Sequence, residues 1–359
     1  MSRARFRVHV AMGDPQAPTT TVLSILEAHQ LLGADGLLKP DVSLVSMGDH
    51  FDWGKAHERA EATADGTRFL SWLAAHPPEQ VVILAGNHDL ARVGELSPFA
   101  TDADFEEAWV LAAAAWRGGT VDEPTQQRFL ARYPHVPDAE AIARDFSCFA
   151  VEQRRLVTEL LRTRRLRLAH AHRGLLLVHA GVTQAELAGL QPGAAPATAE
   201  AAAQQLNAFL DQRVDRWEDG PLDLTPLHRP GSARGGIARG VLFHRPARPP
   251  ETPDPQFEGP PRRRYDPRHL PAAFPQAIGH IRDKKSRELL KDWADAAPAA
   301  DGPLRSLEIS DDGGVRYRAG THPGARLYFL DAGMSHVSPQ RYELFDLDAR
   351  APLTRTRNG

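Results

Sequence analysis

Val42-Ser43-Leu44-Val45-Ser46-Met47-Gly48-Asp49-His50-Phe51-Asp52 is an apolar, β-rich run that stops at a glycine and passes at once into polar, potentially ligating residues. The same order recurs along the chain. Phe6–Met12 runs into Gly13-Asp14-Pro15-Gln16, and Val81–Ala85 runs into Gly86-Asn87-His88-Asp89. Leu175–Val178 ends in His179-Ala180-Gly181, and a weaker run, Ala277–Ile278, ends in Gly279-His280. These segments and Tyr328–Leu330 are continuous apolar runs rather than clean alternations, which is the pattern of strands covered on both faces. Helical periodicity separates them over Thr21–Leu32 and Ala60–Ala74. A β-α-β-α-β order of this kind predicts a layered α/β sheet. In an open α/β sheet the carboxyl ends of the strands form the ligand crevice, so five segments are expected to deliver Asp, Asp, Asn, His and His to one rim. A single Gly-Asp after a strand is an ordinary turn; five such endings in order are not.

Composition narrows the classes of function. The chain has 359 residues, 43 Lys+Arg against 46 Asp+Glu and a formal net charge of −3, which gives no reason to expect nucleic acid as the main partner. An apolar content of 42% supports a sizeable core and excludes wholesale disorder. One cysteine, Cys148, excludes an intrachain disulfide and a cysteine metal cage, and fits a cytoplasmic location. The stretch Met1–Arg7 is basic but lacks the apolar segment of a secretory leader. No apolar run approaches the roughly 20 residues of a membrane helix.

Two insertions interrupt the strand-and-helix order. Residues 97–173 form a helical insertion with predicted helices Asp104–Trp116 and Ala139–Arg165, followed by a strand over Arg165–His172 that turns at Arg173-Gly174. Residues 183–275 form the second, with a helix over Thr198–Trp217 and then an arm, Pro246–Pro275, carrying ten prolines and the triplet Arg262-Arg263-Arg264. Proline at that density predicts a mobile loop or an arm draped over the surface. The triplet and the stretch Arg154–Arg167 read as solvated, His50 as solvent-facing, His170 and His172 as structural, and Cys148 with Phe146 and Phe149 as core packing.

The strand endings, together with His179-Ala180-Gly181-Val182 and Leu330-Asp331-Ala332-Gly333, resemble the calcineurin-like metallophosphoesterases, in the branch of phosphoprotein phosphatases and symmetrical diadenosine tetraphosphatases. The resemblance covers the motif segments from Phe6 to Met334 but not the two insertions. It implies one catalytic domain over residues 1–359: a four-layer α/β (α+β) fold, a β-sandwich flanked by helices, with residues 97–173 as a cap. It also implies two divalent metal ions. Asp14 and Gln16 would bind the first, Asp49 would bridge, and Asn87, His179 and His280 would complete the second. His88 would be the general acid, oriented by Asp52. Two close cations polarise a phosphate and lower the pKa of a shared water, and a bridging carboxylate offsets their mutual repulsion.

Two positions depart from the family pattern. Gln16 stands where that pattern has His, so the first metal site is built from oxygen, which favours Mn²⁺ or Mg²⁺, with iron or zinc as alternatives. Trp53 stands where the branch places a phosphate-gripping Arg, so another cation must do that work: Arg245 first, then Arg282 and Arg92. The expected activity is hydrolysis of phosphate monoesters on a phosphoprotein or small molecule. Dinucleoside polyphosphates or other nucleotide pyrophosphates are the alternative, with Trp109 or Trp116 stacking on a base. A binding module whose first metal site has decayed is the reading from another class.

Overall fold

Val10, Met12, Leu44 and Ile83 bury one face of three parallel strands, Val8–Met12, Val42–Ser46 and Val81–Leu84, in the same cluster as Val22, Ile25 and Leu26 of the helix Thr19–Ala28 and Phe69, Leu70 and Leu73 of the helix Arg59–Ala74. Ala11, Val45 and Leu84 bury the opposite face. These assignments come from a computed structural model that describes residues 6–190, 196–231 and 238–354. The first five residues of the basic stretch Met1–Arg7 lie outside the described residues. Leu166–Arg167 extends the sheet in parallel on one side; Phe345–Asp346 and Ala351–Pro352 extend it antiparallel on the other, giving six strands.

A second six-stranded sheet has the order Val315–Ala319, Arg305–Ile309, Leu327–Phe329, Gln276–Ile278, Leu175–Val178, Ala169–His172. Its Leu175, Leu177, Ala277 and Tyr328 share one buried cluster with Ala11, Val45 and Leu84 of the first sheet. The fold is therefore mixed α/β, with apolar contacts on both faces of the central strands. That double burial is the physical origin of the continuous apolar runs in the sequence.

Several predicted elements are redrawn. The expected strand Arg165–His172 is two strands in different sheets. Leu166–Arg167 pairs with Val81–Leu84, and Ala169–His172 turns at Arg173-Gly174, both with positive φ (46° and 74°), to pair with Leu175–Val178. The expected helix Ala139–Arg165 breaks into a π-turn, Ala141–Asp145, an extended stretch and a helix, Val151–Arg162. The break follows burial: Phe146 and Phe149 pack among the insertion's apolar residues, while the Cys148 N–H donates to Asp52 at 3.0 Å. Thr198 caps the helix Ala199–Asp215 by accepting from the Ala201 N–H at 3.1 Å.

The first insertion has a buried cluster of its own, built from Phe99, Phe105, Phe129, Ile142 and Phe149 with their neighbours. Arg59 ties it to the main body, its guanidinium 3.7 Å from the Trp109 ring centroid and paired with Glu106 at 2.7 and 2.9 Å. The proline-rich arm is anchored rather than merely draped. Arg245–Pro246 pairs in parallel with Arg264–Tyr265, and the Tyr265 side chain is fully buried. Arg262 is also buried, paired with the buried Glu186 at 3.1 Å, so the arginine triplet is not a wholly solvated loop.

Candidate metal centre

Three of the candidate site residues, Asp49, Asp52 and His280, hold left-handed backbone conformations, with φ of 58°, 63° and 62°. Such conformations are costly for residues with a Cβ and gather where function demands a particular side-chain direction. Two glycines make the close approach feasible. A Cβ on Gly86 would lie 2.0 Å from Asp49 Oδ1, and one on Gly279 would lie 2.0 Å from Asp14 Oδ1. The site sits at the carboxyl ends of parallel strands from both sheets, where Asp14, Asp49, Asn87, His179 and His280 follow their strands within a few residues.

The side chains converge as hydrogen-bond acceptors. His179 Nδ1 lies 2.8 Å from the Met47 carbonyl, which can only accept, so Nδ1 carries the hydrogen. Its Nε2 then faces Asn87 Oδ1 at 3.3 Å and Asp49 Oδ2 at 3.4 Å. In the neutral ring that is a lone pair meeting two other acceptors. His280 Nε2 is 3.1 Å from the Phe243 carbonyl, which leaves Nδ1 as its available ligand atom. Ligand atoms of Asp49, His179 and His280 all lie within 4.8 Å of one another. Asp14 Oδ2 accepts from the His280 N–H at 2.8 Å, while its buried Oδ1 has no hydrogen-bond partner.

Charge tells the same story. Burial, with Asp331 and Asp49 nearby, pushes the Asp14 carboxyl well above its usual range. Burial opposes a charge on His179, yet Asp49 overrides it and raises the imidazole. A buried group of carboxylates that draws protons onto its neighbours lacks positive charge.

His88 lies beside this group. Its Nδ1 is 2.9 Å from Asp52 Oδ2, its Nε2 is 3.9 Å from Asp49 Oδ2, and its N–H donates to Asp49 Oδ1 at 2.9 Å. Burial alone would lower its pKa; Asp49 and Asp52 outweigh that and raise it to about 9. Asp52 is itself buried, which would raise its pKa, but Arg92 and His88 hold it at about 2.

Arg92 is not where the sequence reading needs it. It is fully buried, donates to Asp52 at 2.6 Å, to the His88 carbonyl at 2.8 Å and to the Cys148 carbonyl at 2.8 Å, and cannot reach a substrate. Its position one helical turn after His88 carries the guanidinium beneath Asp52. Cys148 is more than core filler, because its thiol lies 3.3 Å from Asp52 Oδ1. His50 is buried, not solvent-facing: the left-handed Asp49 turns it inward to Asp89 at 3.0 Å and Ser46 at 2.9 Å.

Two acids acquire positions the motif reading left without a role. Asp89 accepts from the N–H groups of Gly86, Asp49 and His50 at 2.8, 2.9 and 3.0 Å, fixing the loop that presents Asp49. Asp331 lines the same cavity as Asp14. Both acids are printed in the motifs Gly86-Asn87-His88-Asp89 and Leu330-Asp331-Ala332-Gly333; only their burial distinguishes them from turn residues.

Two lobes of open space meet over Asp14, Gln16, Arg282 and Asp331. One, about 610 Å³, has Trp53, Lys55 and Glu58 on its wall; the other, about 510 Å³, contains His88, His280 and Arg245. Gln16 donates its amide to the Phe51 carbonyl at 3.1 Å, leaving its oxygen for the lobes. Arg245 is half-buried, and burial together with Arg263 lowers its pKa to about 10. Arg282 stands on the shared lip, paired with Asp301 at 2.6 Å. Trp109 and Trp116 line neither lobe.

No family model and no curated protein matches the chain. Among solved structures it is similar to a cold-active protein tyrosine phosphatase at 13% identity and a TM-score of 0.40, over 94% of this chain and 73% of that one. The cold-active protein-tyrosine phosphatase of a psychrophile, Shewanella sp., matches at 13% identity and a TM-score of 0.40, over 97% and 81%. Among the described residues no helix is long and apolar enough to cross a membrane.

Proposed function

We propose that the chain is a metal-dependent hydrolase of phosphate monoesters, on a phosphoprotein or a small molecule. One observation carries the reading: ligand atoms of Asp49, His179 and His280 lie within 4.8 Å of one another, and His179 Nε2, with its Nδ1 turned to the Met47 carbonyl, faces the oxygens Asn87 Oδ1 and Asp49 Oδ2. A cation resolves that convergence. The residues fit two divalent ions: Asp14 and Gln16 would hold one, Asn87, His179 and His280 would hold the other, and Asp49 would serve both. The partnerless Asp14 Oδ1 and the cradles at Gly86 and Gly279 support the same assignment. With Gln16 in place of an imidazole, the first position is all oxygen, which favours Mn²⁺.

When bound, the ions supply Lewis-acid polarisation of the phosphoryl group and positive charge that lowers the pKa of water. The rest is work for this chain's own residues. His88, its Nδ1 held by Asp52, gives the Nε2 proton to the departing ester oxygen as water adds to phosphorus and the P–O(R) bond breaks. Asp52 fixes the ring through Nδ1, and Arg92 and Cys148 hold Asp52. Arg245 and Arg282 face the phosphate oxygens from the cavity wall.

The test is p-nitrophenyl phosphate hydrolysis by EDTA-stripped protein reconstituted ion by ion. Turnover that returns with Mn²⁺ and is lost in Asp49→Asn is the expected result. Full activity of the stripped protein would refute metal dependence, and restoration by zinc alone would refute the manganese preference.

A further inference from the structure

Leu330-Asp331-Ala332-Gly333 repeats, on the second sheet, the kind of strand ending that builds the metal centre. Asp331 follows its strand Leu327–Phe329 by two residues, as Asp14 follows Val8–Met12 and His280 follows Gln276–Ile278. The strands before Asp331 and His280 are parallel neighbours, and the Leu330 N–H donates to the Ile278 carbonyl at 2.7 Å. Asp331 also meets the first sheet. A Cβ on Gly13 would lie 2.0 Å from the Leu330 carbonyl oxygen and 2.9 Å from Asp331 Cα. Glycine just before Asp14 permits that crossing, which sets Asp14 and Asp331 on touching chain segments.

The Asp331 carboxylate is held in place but not neutralised. The Gly333 N–H donates to its Oδ1 at 3.1 Å, and among the described residues its Oδ2 takes no hydrogen bond. Asp331 is buried, yet with Asp14, Gln16 and Arg282 it lines both lobes. The nearby cations are engaged elsewhere. Arg282 pairs with Asp301 at 2.6 Å, and the fully buried Arg305 donates to the main-chain carbonyl of Asp331 rather than to its carboxylate. Asp14, only 5% exposed, likewise keeps Oδ1 without a hydrogen-bond partner. Among the charged neighbours that push the Asp14 carboxyl up, Asp331 comes before Asp49. Two buried carboxylates set against each other are costly unless a cation joins them.

We infer that Asp331 is a further ligand, through Oδ2, of the ion that Asp14 and Gln16 hold. This rests on the reading of the rim as a two-ion centre. Two divalent ions set against Asp14 and Asp49 alone leave two positive charges in a buried site, and Asp331 removes one of them. It also adds an anionic oxygen to a position where Gln16 offers a neutral one, which suits a hard cation with many oxygen ligands. His179 and His280 belong to the other ion, so loss of Asp331 distinguishes the two positions.

The experiment titrates EDTA-stripped wild type, Asp331→Ala and Asp331→Asn with Mn²⁺ by calorimetry. EPR follows the spin coupling of the bound pair, and Tm checks the metal-free fold. Wild type should bind two ions. Asp331→Ala should keep one at wild-type affinity and bind the other roughly 100-fold more weakly, since even outer partners of ligands cost about 10–100-fold. The coupled signal should then give way to that of an isolated Mn²⁺. Asp331→Asn keeps an oxygen and the acceptor for the Gly333 N–H, so it serves if the alanine variant does not fold; it should weaken the same ion by about tenfold. Two ions at wild-type affinity in either folded variant, or equal weakening of both ions, overturns the assignment and leaves the two-ion centre standing. Absence of Mn²⁺ binding in folded wild type defeats the centre itself, and the ligand with it.

Discussion

Gly279→Ala separates the metal centre from the fold around it. The added Cβ would lie 2.0 Å from Asp14 Oδ1, with Asp14 Cγ at 3.1 Å and Met47 Cβ at 3.4 Å. The last two contacts are tight but tolerable; only the carboxylate oxygen must move. To reach the 3.0 Å below which Cβ atoms are essentially never found, Oδ1 retreats by 3.0 − 2.0 = 1.0 Å. That is the oxygen with no hydrogen-bond partner, the one that the proposed function gives to a metal. Metal–ligand distances hold to within about 0.2 Å, so a displacement of that size removes a ligand. Mn²⁺ affinity should fall by roughly 100-fold or more, since even outer partners of ligands cost about 10–100-fold. Turnover should fall by about 10²-fold for a 1 Å misplacement. The metal-free fold should lose no more than about 1 kcal/mol, the low end of overpacking costs. Gly86→Ala is the contrast: its Cβ meets the Asp49 backbone nitrogen at 2.4 Å as well as the side chain, so it should destabilise the metal-free protein too. The assay is Mn²⁺ titration calorimetry with Tm of the stripped proteins and p-nitrophenyl phosphate turnover. Wild-type Mn²⁺ affinity and turnover in folded Gly279→Ala would refute the placement of Asp14 at a metal.

Other perturbations follow from the same geometry. His88→Asn should lower kcat by about 10²–10⁴-fold while leaving Mn²⁺ stoichiometry intact, a pair of results that separates an acid from a ligand. Asp52→Asn leaves the fully buried Arg92 without its carboxylate and should cost about 3 kcal/mol in urea denaturation; an unchanged midpoint would contradict the buried pair. Burial holds His228, stacked on Phe243 at 5.3 Å, neutral down to a pKa of about 3. The unfolded chain takes up that proton below about pH 6.5, so stability falls as pH drops from 6.5 toward 3, by about 2 kcal/mol between pH 7 and 5. Chemical denaturation at those two pH values should show this loss, and His228→Gln should show less of it.

The strand endings were legible because burial on both faces makes the central strands read as unbroken apolar runs, and a glycine must follow where backbone or carboxylate passes close. Gly86 and Gly279 meet Asp49 and Asp14 in just that way. Asp14, Asp49, Asn87, His88, His179 and His280 are brought to one rim for the same reason. What sequence did not reveal depends on direction rather than position. His50 follows Asp49 by one residue and faces the core because Asp49 is left-handed. Arg92 resembles a free cation until the helical turn after His88 puts it under Asp52. Helical periodicity runs through Phe146–Phe149, yet those rings belong to a cluster that a straight helix cannot fill. The hairpin Arg305–Ile309 with Val315–Ala319 did carry a signal, alternation on either side of Asp311-Asp312-Gly313-Gly314. The split of Arg262 from Arg263 and Arg264 carried none, since it is decided by Glu186 from another part of the chain.

The central claim is that this rim holds two divalent cations. Calorimetric titration of EDTA-stripped protein with Mn²⁺ tests it most directly, with Asp49→Asn titrated alongside. Two ions bound per wild-type chain, with both weakened together when Asp49 is neutralised, is the predicted result. Absence of binding in folded wild-type protein, or affinity unchanged in Asp49→Asn, would contradict it.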